Sequence, residues 1–316
     1  LLRSGVPVMT TWNGTDRVSA DNPNYVGRPN TWGQRSANLL LAQADLIVAF
    51  GTRLGLQQTG FNWQEFGKEA RVVQVDIDDG ELNKGHPLVD VPMLADANEL
   101  LLSLVVLDYP GHEDWLSYCR EVRELLPTRE DVNSTGDGFV CPYSFYLDLS
   151  DLADPDDILI PCSSGGANSV AMQTIRQKWG QIVITDKGLA SMGYGLSGAI
   201  GAALGHPDRR TFLIEGDGGF AQNLQELATV AVNDLNLKIF IFANEGYGSI
   251  RMTQKNYFDG AYLGCDTETG LGFPDWHRLF DAYEIPAMTI GPEWSEDTDV
   301  LSALDTPGPV GLVVPI

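Results

Sequence analysis

At 316 residues and 43% hydrophobic content the chain can bury a sizeable core, and its length favours two domains over one. Forty-three acidic side chains against 20 basic ones leave a net charge of −23, which repels nucleic-acid phosphates and anionic lipid, so neither is an expected partner. No apolar run approaches the roughly 18 residues of a membrane span, and the opening LLRSGVPVMTTW lacks the layout of a signal peptide, so the expectation is a cytoplasmic protein.

Apolar runs bounded by turn residues alternate with helical patterns almost throughout, which predicts an α/β fold of two doubly wound parallel-sheet domains joined by a linker. DLIVAFG (45–51) and RVVQVDID (71–78) read as buried strands, with helices near 36–44, 94–106 and 113–125, so that residues 1–126 make a first, central domain. PTREDVNSTGDGFVCP (127–142) is polar and aperiodic, with Pro at either end, and reads as the linker. In the second domain, 143–316, DILIP (157–161), QIVIT (181–185), Thr211–Ile214, Leu237–Ala243 and PVGLVV read as strands. Helices are expected near 168–178, 193–205, 275–283 and 297–304. Both ends read as interrupted elements, so the chain is expected to be part of something longer. Cys119, Cys141, Cys162 and Cys265 form no CxxC pair and are expected to be free thiols. The acid excess comprises 28 Asp and 15 Glu with only 6 Lys, which fits a salt-rich cytoplasm as well as an ordinary acidic surface.

Two strands end in small clusters of Gly with Asp or Asn: GDGGF at 216–220 and ANEGYG at 243–248. In an open α/β sheet, ligands sit beyond the carboxyl ends of the strands, so the two clusters should be neighbours. Glycine lets backbone approach a ligand, and the start of the following NLQELATVAV helix offers free N–H groups to phosphate. Asp217 would repel phosphate unless a Mg²⁺ lay between them, taking oxygen ligands at about 2.1 Å; Asn244 and the Gly246 carbonyl offer two more oxygens. Taken singly these residues are a tight turn and a helix cap; taken together they read as a site. GYGLSG (193–198) also satisfies G-x-G-x-x-G, with Glu215 and Asp217 near the offset of a ribose-binding acid, but DKGLASM separates it from the preceding strand. Close helix packing is the simpler account.

Gly216-Asp217-Gly218, followed after a helix and a strand by Asn244 and NEGYGSIR, resembles the diphosphate and metal motif of thiamine-diphosphate enzymes. GLASMGYGLSGAIGAALG is similar to the acetolactate synthase branch, and YVGRPNTWGQRSANLLLAQADLIVAFGTRLG and VQVDIDDGELNK resemble its central domain. The resemblance implies that Asp217, Asn244 and the Gly246 carbonyl hold Mg²⁺ and that the Gly218 and Gly219 amides hold the diphosphate. It makes Met192 the wedge that bends thiamine diphosphate and the Ala190 carbonyl an acceptor for the pyrimidine amino group. Ser163, Ser164 and Gly165, in CSSGGANS after DILIP, offer further amides to the diphosphate.

The implied activity is decarboxylation and carboligation of a small 2-oxoacid by a homodimer or tetramer. Two departures stand out. The family usually shows two Asn at the second strand end, and the first is Ala243 here. The Glu that protonates the pyrimidine ring belongs to an N-terminal domain of a partner subunit, which must come from a longer parent chain or a separate subunit. An FAD in the central domain is also implied, with Gly51, Arg53, Asp76 and Asp78 at similar places, although these residues equally fit a plain strand-end turn. Two other readings stay open: a nicotinamide-dependent oxidoreductase using GYGLSG, and a cofactor-binding subunit without catalysis.

Overall fold

Among the described residues every pairing between strands is parallel, as expected where helical crossovers carry the chain back to the start of the next strand. The protein is described by a computed structural model covering residues 5–107, 111–162, 165–186 and 188–316. It divides into two units, Leu1–Thr128 and Arg129–Ile316.

In the first unit, β1 (Val8–Met9) pairs with β2 (Tyr25–Gly27), and β3 (Leu46–Phe50), β4 (Arg71–Asp76) and β5 (Val91–Leu94) form a three-stranded sheet in sequence order. Its helices are α1 (Arg35–Ala42), α2 (Leu56–Thr59), α3 (Asp79–Leu82), α4 (Ala97–Leu104) and α5 (Glu113–Leu125). The expectation of a fully buried strand at 45–51 is corrected. Along β3, Ile47 and Ala49 are buried while Leu46 and Val48 are exposed, the alternation of a sheet covered on one face. A small core of Ile47, Ala49, Leu54 and Val72 lies on the covered face.

The second unit is built on a six-stranded sheet in the order β10-β11-β9-β8-β6-β7. Its strands are β6 (Ile158–Pro161), β7 (Ile182–Val183), β8 (Thr211–Gly216), β9 (Leu237–Ala243), β10 (Ala287–Thr289) and β11 (Val310–Pro315). Its helices are α6 (Pro142–Leu152), α7 (Gly165–Thr174), α8 (Tyr194–Gly205), α9 (Asp217–Phe220), α10 (Leu227–Val232), α11 (Gly248–Tyr257), α12 (Trp276–Ala282) and α13 (Thr298–Asp305). Here the central strands are buried on both faces, and side chains such as Ile158, Leu213, Ile239 and Ile241 contribute about 1.5–3 kcal/mol each by leaving water. On the other face Phe145 of α6 stands 5.0 Å, centroid to centroid, from each of Phe240, Phe242 and Trp294. Gly311 of β11 leaves room for the Phe280 ring of α12, which lies 2.5 Å from where a Cβ would be.

The second half of the expected linker is ordered on the second unit. Asp131–Asn133 is a capped 3₁₀ turn, the Val140 amide donates to the Pro315 carbonyl at 2.8 Å, and Pro142 opens α6. Among the described residues no helix is long and apolar enough to cross a membrane. All four cysteines are buried and none is in a disulfide. Several aspartates begin helices: Asp96 accepts from the Asn98 and Glu99 amides and Asp297 from those of Asp299 and Val300, so part of the acid excess serves local structure.

Candidate functional site

The order of the six-stranded sheet reverses beside β6: the chain passes from β6 outward to β7 and then crosses back to β8 on the other side. The crevice beyond the carboxyl ends of β6 and β8 is therefore the topological switch point, where ligands of open α/β sheets bind. Cys162 closes β6, its amide donating to the Ile214 carbonyl of β8 at 2.7 Å. Ser163 and Ser164 lie outside the described residues. Gly165 follows at φ +67°, a left-handed backbone, and starts α7.

Asp217, at the end of β8, is 1% exposed. Its Oδ1 accepts from the Gly218 amide at 2.6 Å, and its Oδ2 from the Asn244 and Glu245 amides of the β9 turn at 3.0 and 2.7 Å. Burial pushes its carboxyl up to about 6, against the pull of these amides towards the charged form. Beside it, one terminal atom of the Asn244 amide stands 2.9 Å from the Gly246 carbonyl oxygen and 3.2 Å from Asp217 Oδ1. As nitrogen that atom donates to both. Turned over, the amide puts Oδ1 at the same point, and three oxygens then converge. Octahedral Mg²⁺ with ligands at about 2.1 Å has neighbouring oxygens about 3.0 Å apart, so the two spacings from the Asn244 atom and the donor chemistry match such an ion. Among the described residues no group of three His, Cys, Asp or Glu is gathered for a metal, and this corner has one carboxylate, one amide and one carbonyl, a set for a hard cation.

The corner is held from behind. A Cβ on Gly246 would meet the Cys265 carbonyl at 2.4 Å, Gly246 bridges to Asp266, and the Tyr247 amide donates to Cys265 at 2.8 Å. Asp266 in turn caps the 3₁₀ turn Thr267–Thr269 and pairs with Arg251 of α11. The Tyr247 ring fills the space that Gly218 leaves, 2.3 Å from a Cβ there, and its hydroxyl accepts from Gln222 at 2.9 Å. Glu245, between Asn244 and Gly246, is left-handed at φ +57°, a strain of about 1–3 kcal/mol for a residue with a side chain.

Ala190 and Met192 precede α8. Ala190 is also left-handed, φ +55°, and its amide donates to the Asp186 carbonyl at 2.7 Å. Met192 is 43% exposed, too open for a core methionine. Gly193 caps α8 at φ +86°.

Two models of one family match this chain: the thiamine pyrophosphate enzyme C-terminal TPP binding domain over residues 164–314 and the central domain over residues 2–104. The chain belongs to the thiamine pyrophosphate enzyme family. It is similar to the acetolactate synthase isozyme 2 large subunit of Escherichia coli (strain K12), 33% identical over 97% of this chain and 53% of that protein. It also resembles the probable acetolactate synthase large subunit of Methanocaldococcus jannaschii, 30% identical over 90% of this chain and 48% of the relative. The acetolactate synthase large subunit IlvB1 of Mycobacterium tuberculosis is 30% identical over 88% and 46%. The chain thus spans about half the length of the curated relatives it matches.

Within this family member the structure brings Gly216, Asp217, Gly218 and Gly219 beside Asn244 and Gly246. The helix expected over NLQELATVAV (223–232) is corrected in its first half: the 3₁₀ segment Ala221–Glu226 follows α9 with Asn223 non-helical at φ −143°, and α-helix starts only at Leu227 with α10. Asn223 leaves the helix because its side chain donates to Ser197 of α8 and to the Gly193 carbonyl, the latter at 3.4 Å.

Sequence reasoning assigned Glu215 only to the rival dinucleotide motif. It is fully buried; its Oε1 accepts from the Cys162 thiol at 3.0 Å, and Oε2 finds no partner in hydrogen-bond geometry among the described residues. Burial pushes its carboxyl up to about 7, while the Cys162 thiol and the Leu196, Gly193 and Gly195 amides favour the charged form. The start of the GYGLSG helix therefore faces a carboxylate of the chain itself, not space for a pyrophosphate. A charged residue ending the otherwise apolar TFLIEG run was the signal in the sequence.

The residues offered for a flavin have local roles. Asp76 accepts from the Asp78 amide at 3.0 Å, and Asp78 caps α3 through Gly80 at 2.8 Å. Arg53 pairs with Glu81 at 3.3 Å, and Gly51 turns the chain at φ +59°.

Proposed function

We propose that this chain carries the cofactor-binding part of a thiamine-diphosphate- and Mg²⁺-dependent enzyme that decarboxylates a small 2-oxoacid and joins the product to an acceptor, as an acetolactate synthase does. The observation that carries the reading is the three-atom corner of Asp217, Asn244 and Gly246, whose spacing suits an octahedral Mg²⁺. In this reading those residues hold the metal, and the Gly218, Gly219 and Gly165 amides hold the diphosphate, together with Ser163 and Ser164, which lie outside the described residues. Met192 keeps the two rings folded together, and the Ala190 carbonyl, aimed by a strained backbone, accepts from the pyrimidine amino group. Bound there, thiamine diphosphate supplies a nucleophilic carbon and an electron sink for the bond to carbon dioxide. FAD is left out, because the strand-end turn accounts for Gly51, Arg53, Asp76 and Asp78 by itself. The nicotinamide alternative is disfavoured by the carboxylate of Glu215 at the start of α8.

General acid–base work on the pyrimidine ring needs a carboxyl group within hydrogen-bond reach, and the proposal takes it from a pyrimidine-binding domain of a partner subunit in a homodimer or tetramer. Residues 1–316 alone should retain thiamine diphosphate only with Mg²⁺, leave NADH fluorescence unquenched, and release no carbon dioxide from pyruvate above a cofactor-free control. Turnover should appear when a pyrimidine-binding domain is supplied. Mg²⁺-independent retention, or none at all, would refute the assignment; retention without turnover in the complete assembly would leave a non-catalytic subunit.

A further inference from the structure

We propose that Glu215 is a positioning residue, resting on the thiamine-diphosphate reading of this site: its carboxylate locks the start of α8, and with it Met192 and Ala190, against the metal-binding turn. Three segments close on this one group. Oε1 takes the Cys162 thiol at the end of β6, 3.0 Å away. A Cβ on Gly195, in the first turn of α8, would lie 2.4 Å from Oε2, and a Cβ on Gly219, in the metal turn, 2.9 Å from Oε1. Both glycines therefore let helix and turn come down onto the carboxylate, which sits where the positive end of the α8 dipole favours an anion. Asn223 holds the same helix start from the other side through the Gly193 carbonyl and Ser197.

Mere core filling does not explain this arrangement. A fully buried carboxylate costs several kcal/mol in lost hydration, and an apolar side chain of like volume would fill the space without that cost. What the carboxylate adds is direction: the Gly193, Gly195 and Leu196 amides at the start of α8 lie close enough to favour its charged form, and its charge in turn draws them towards it. Gly193, Met192 and Ala190 run directly back from those groups, so their backbone is set by the same contact. The diphosphate grip lies on the other side of Glu215, in Gly218, Gly219 and Asp217. The two halves of the cofactor would thus be held by segments that meet at this residue.

The test separates those halves by titration calorimetry, comparing Mg²⁺-pyrophosphate, which probes the grip alone, with Mg²⁺-thiamine diphosphate, which also needs the fold of the rings. Glu215→Gln keeps the volume but removes the charge that the start of α8 closes on and leaves one acceptor oxygen in place of two, which loosens the helix start. Pyrophosphate affinity should stay within about twofold of wild type while thiamine diphosphate weakens by at least about tenfold, the lower end of what losing an outer-shell partner brings. Parallel loss of both ligands, or loss of neither, would overturn the proposal. Should Glu215→Gln fail to fold, Gly195→Ala presses the same helix start from within. It should show the same selective loss, and equal effects on the two ligands would again overturn the role. A wild-type protein that binds neither ligand with Mg²⁺ would instead refute the thiamine-diphosphate reading itself, a result distinct from the loss of selectivity.

Discussion

Asp217 has two faces, one tied by three backbone amides and one turned to the Asn244 amide and the Gly246 carbonyl. Asp217→Asn removes the charge and sets an NH₂ in place of one of two oxygens that both accept backbone amides, so the melting temperature should fall modestly while the fold is kept. Mg²⁺-dependent affinity for thiamine diphosphate should drop by about 100-fold or more, beyond what loss of an outer-shell partner brings. Unchanged affinity by calorimetry would remove Asp217 from the metal site. The two buried carboxyls also set a pH dependence. Glu215 rises from 4.5 to about 7 and Asp217 from 3.8 to about 6 on folding, so the folded, metal-free protein binds these protons more tightly than the unfolded chain. Their contribution to stability is therefore greatest at the acid end and is lost as pH rises through those intervals. The melting temperature of metal-free protein should fall between pH 5 and pH 7.5, and Glu215→Gln should flatten that slope; a slope identical in the variant would show that Glu215 does not titrate there. That Asp217, Asn244 and Gly246 come together was legible in the sequence, because each follows an apolar run that must end at the same edge of a parallel sheet. The structural role of Glu215 was not, since it depends on the space at Gly195, which only the crossing of α8 brings near.

Among the elements, most that the sequence announced have a buried face; α4 was announced by its apolar composition without one. α8, α12, α13 and the central strands agree with the expected runs to within a few residues. α11 was not announced because its run GSIRMTQKNY is mostly polar and none of its residues is buried, so no continuous apolar stripe marks it. α6 was hidden by its aromatic, strand-like composition and by the polar stretch before it, and β10 is only three residues long. The segment 255–276 supports the corner of Asp217, Asn244 and Gly246, since through Cys265 and Asp266 it backs Gly246. Gly246→Ala should force that backing apart, because its methyl would lie 2.4 Å from the Cys265 carbonyl. A loss of about 1–3 kcal/mol is expected, the usual range for overpacking, measured by urea unfolding with and without Mg²⁺. No measurable loss would mean that the segment yields freely and does not fix the carbonyl.

At the scale of the molecule, the alternation of strand and helix was enough to give two parallel-sheet units. The one-sided sheet of the first unit was not foreseen, because Leu46 and Val48 are as apolar as the buried residues between them and periodicity is invisible when both faces carry the same chemistry. The charge of −23 bears on every surface at once. Although some aspartates serve as helix caps, most of the excess is repulsion between side chains, which salt screens over about 10 Å at 0.1 M and about 3 Å at 1 M. The melting temperature should therefore rise from dilute to molar potassium chloride. A flat or falling profile would mean that the acidic side chains are already compensated locally.

The close fits at Gly195, Gly218 and Gly311 carry a consequence for descent. Each glycine is a socket and the neighbour that fills it a plug: Glu215, Tyr247 and Phe280. A methyl cannot enter a socket while its plug is in place, and a trimmed plug leaves a hole that only a larger socket residue can close. Neither partner can drift alone without a stability loss, so the two positions should change together along a lineage. Three pairs of columns, 195 with 215, 218 with 247 and 311 with 280, should covary in an alignment of relatives. In the laboratory, Gly311→Ala should be better tolerated with Phe280→Leu than without it. Independent variation at these pairs, with additive effects of the two substitutions, would show instead that the backbone moves aside.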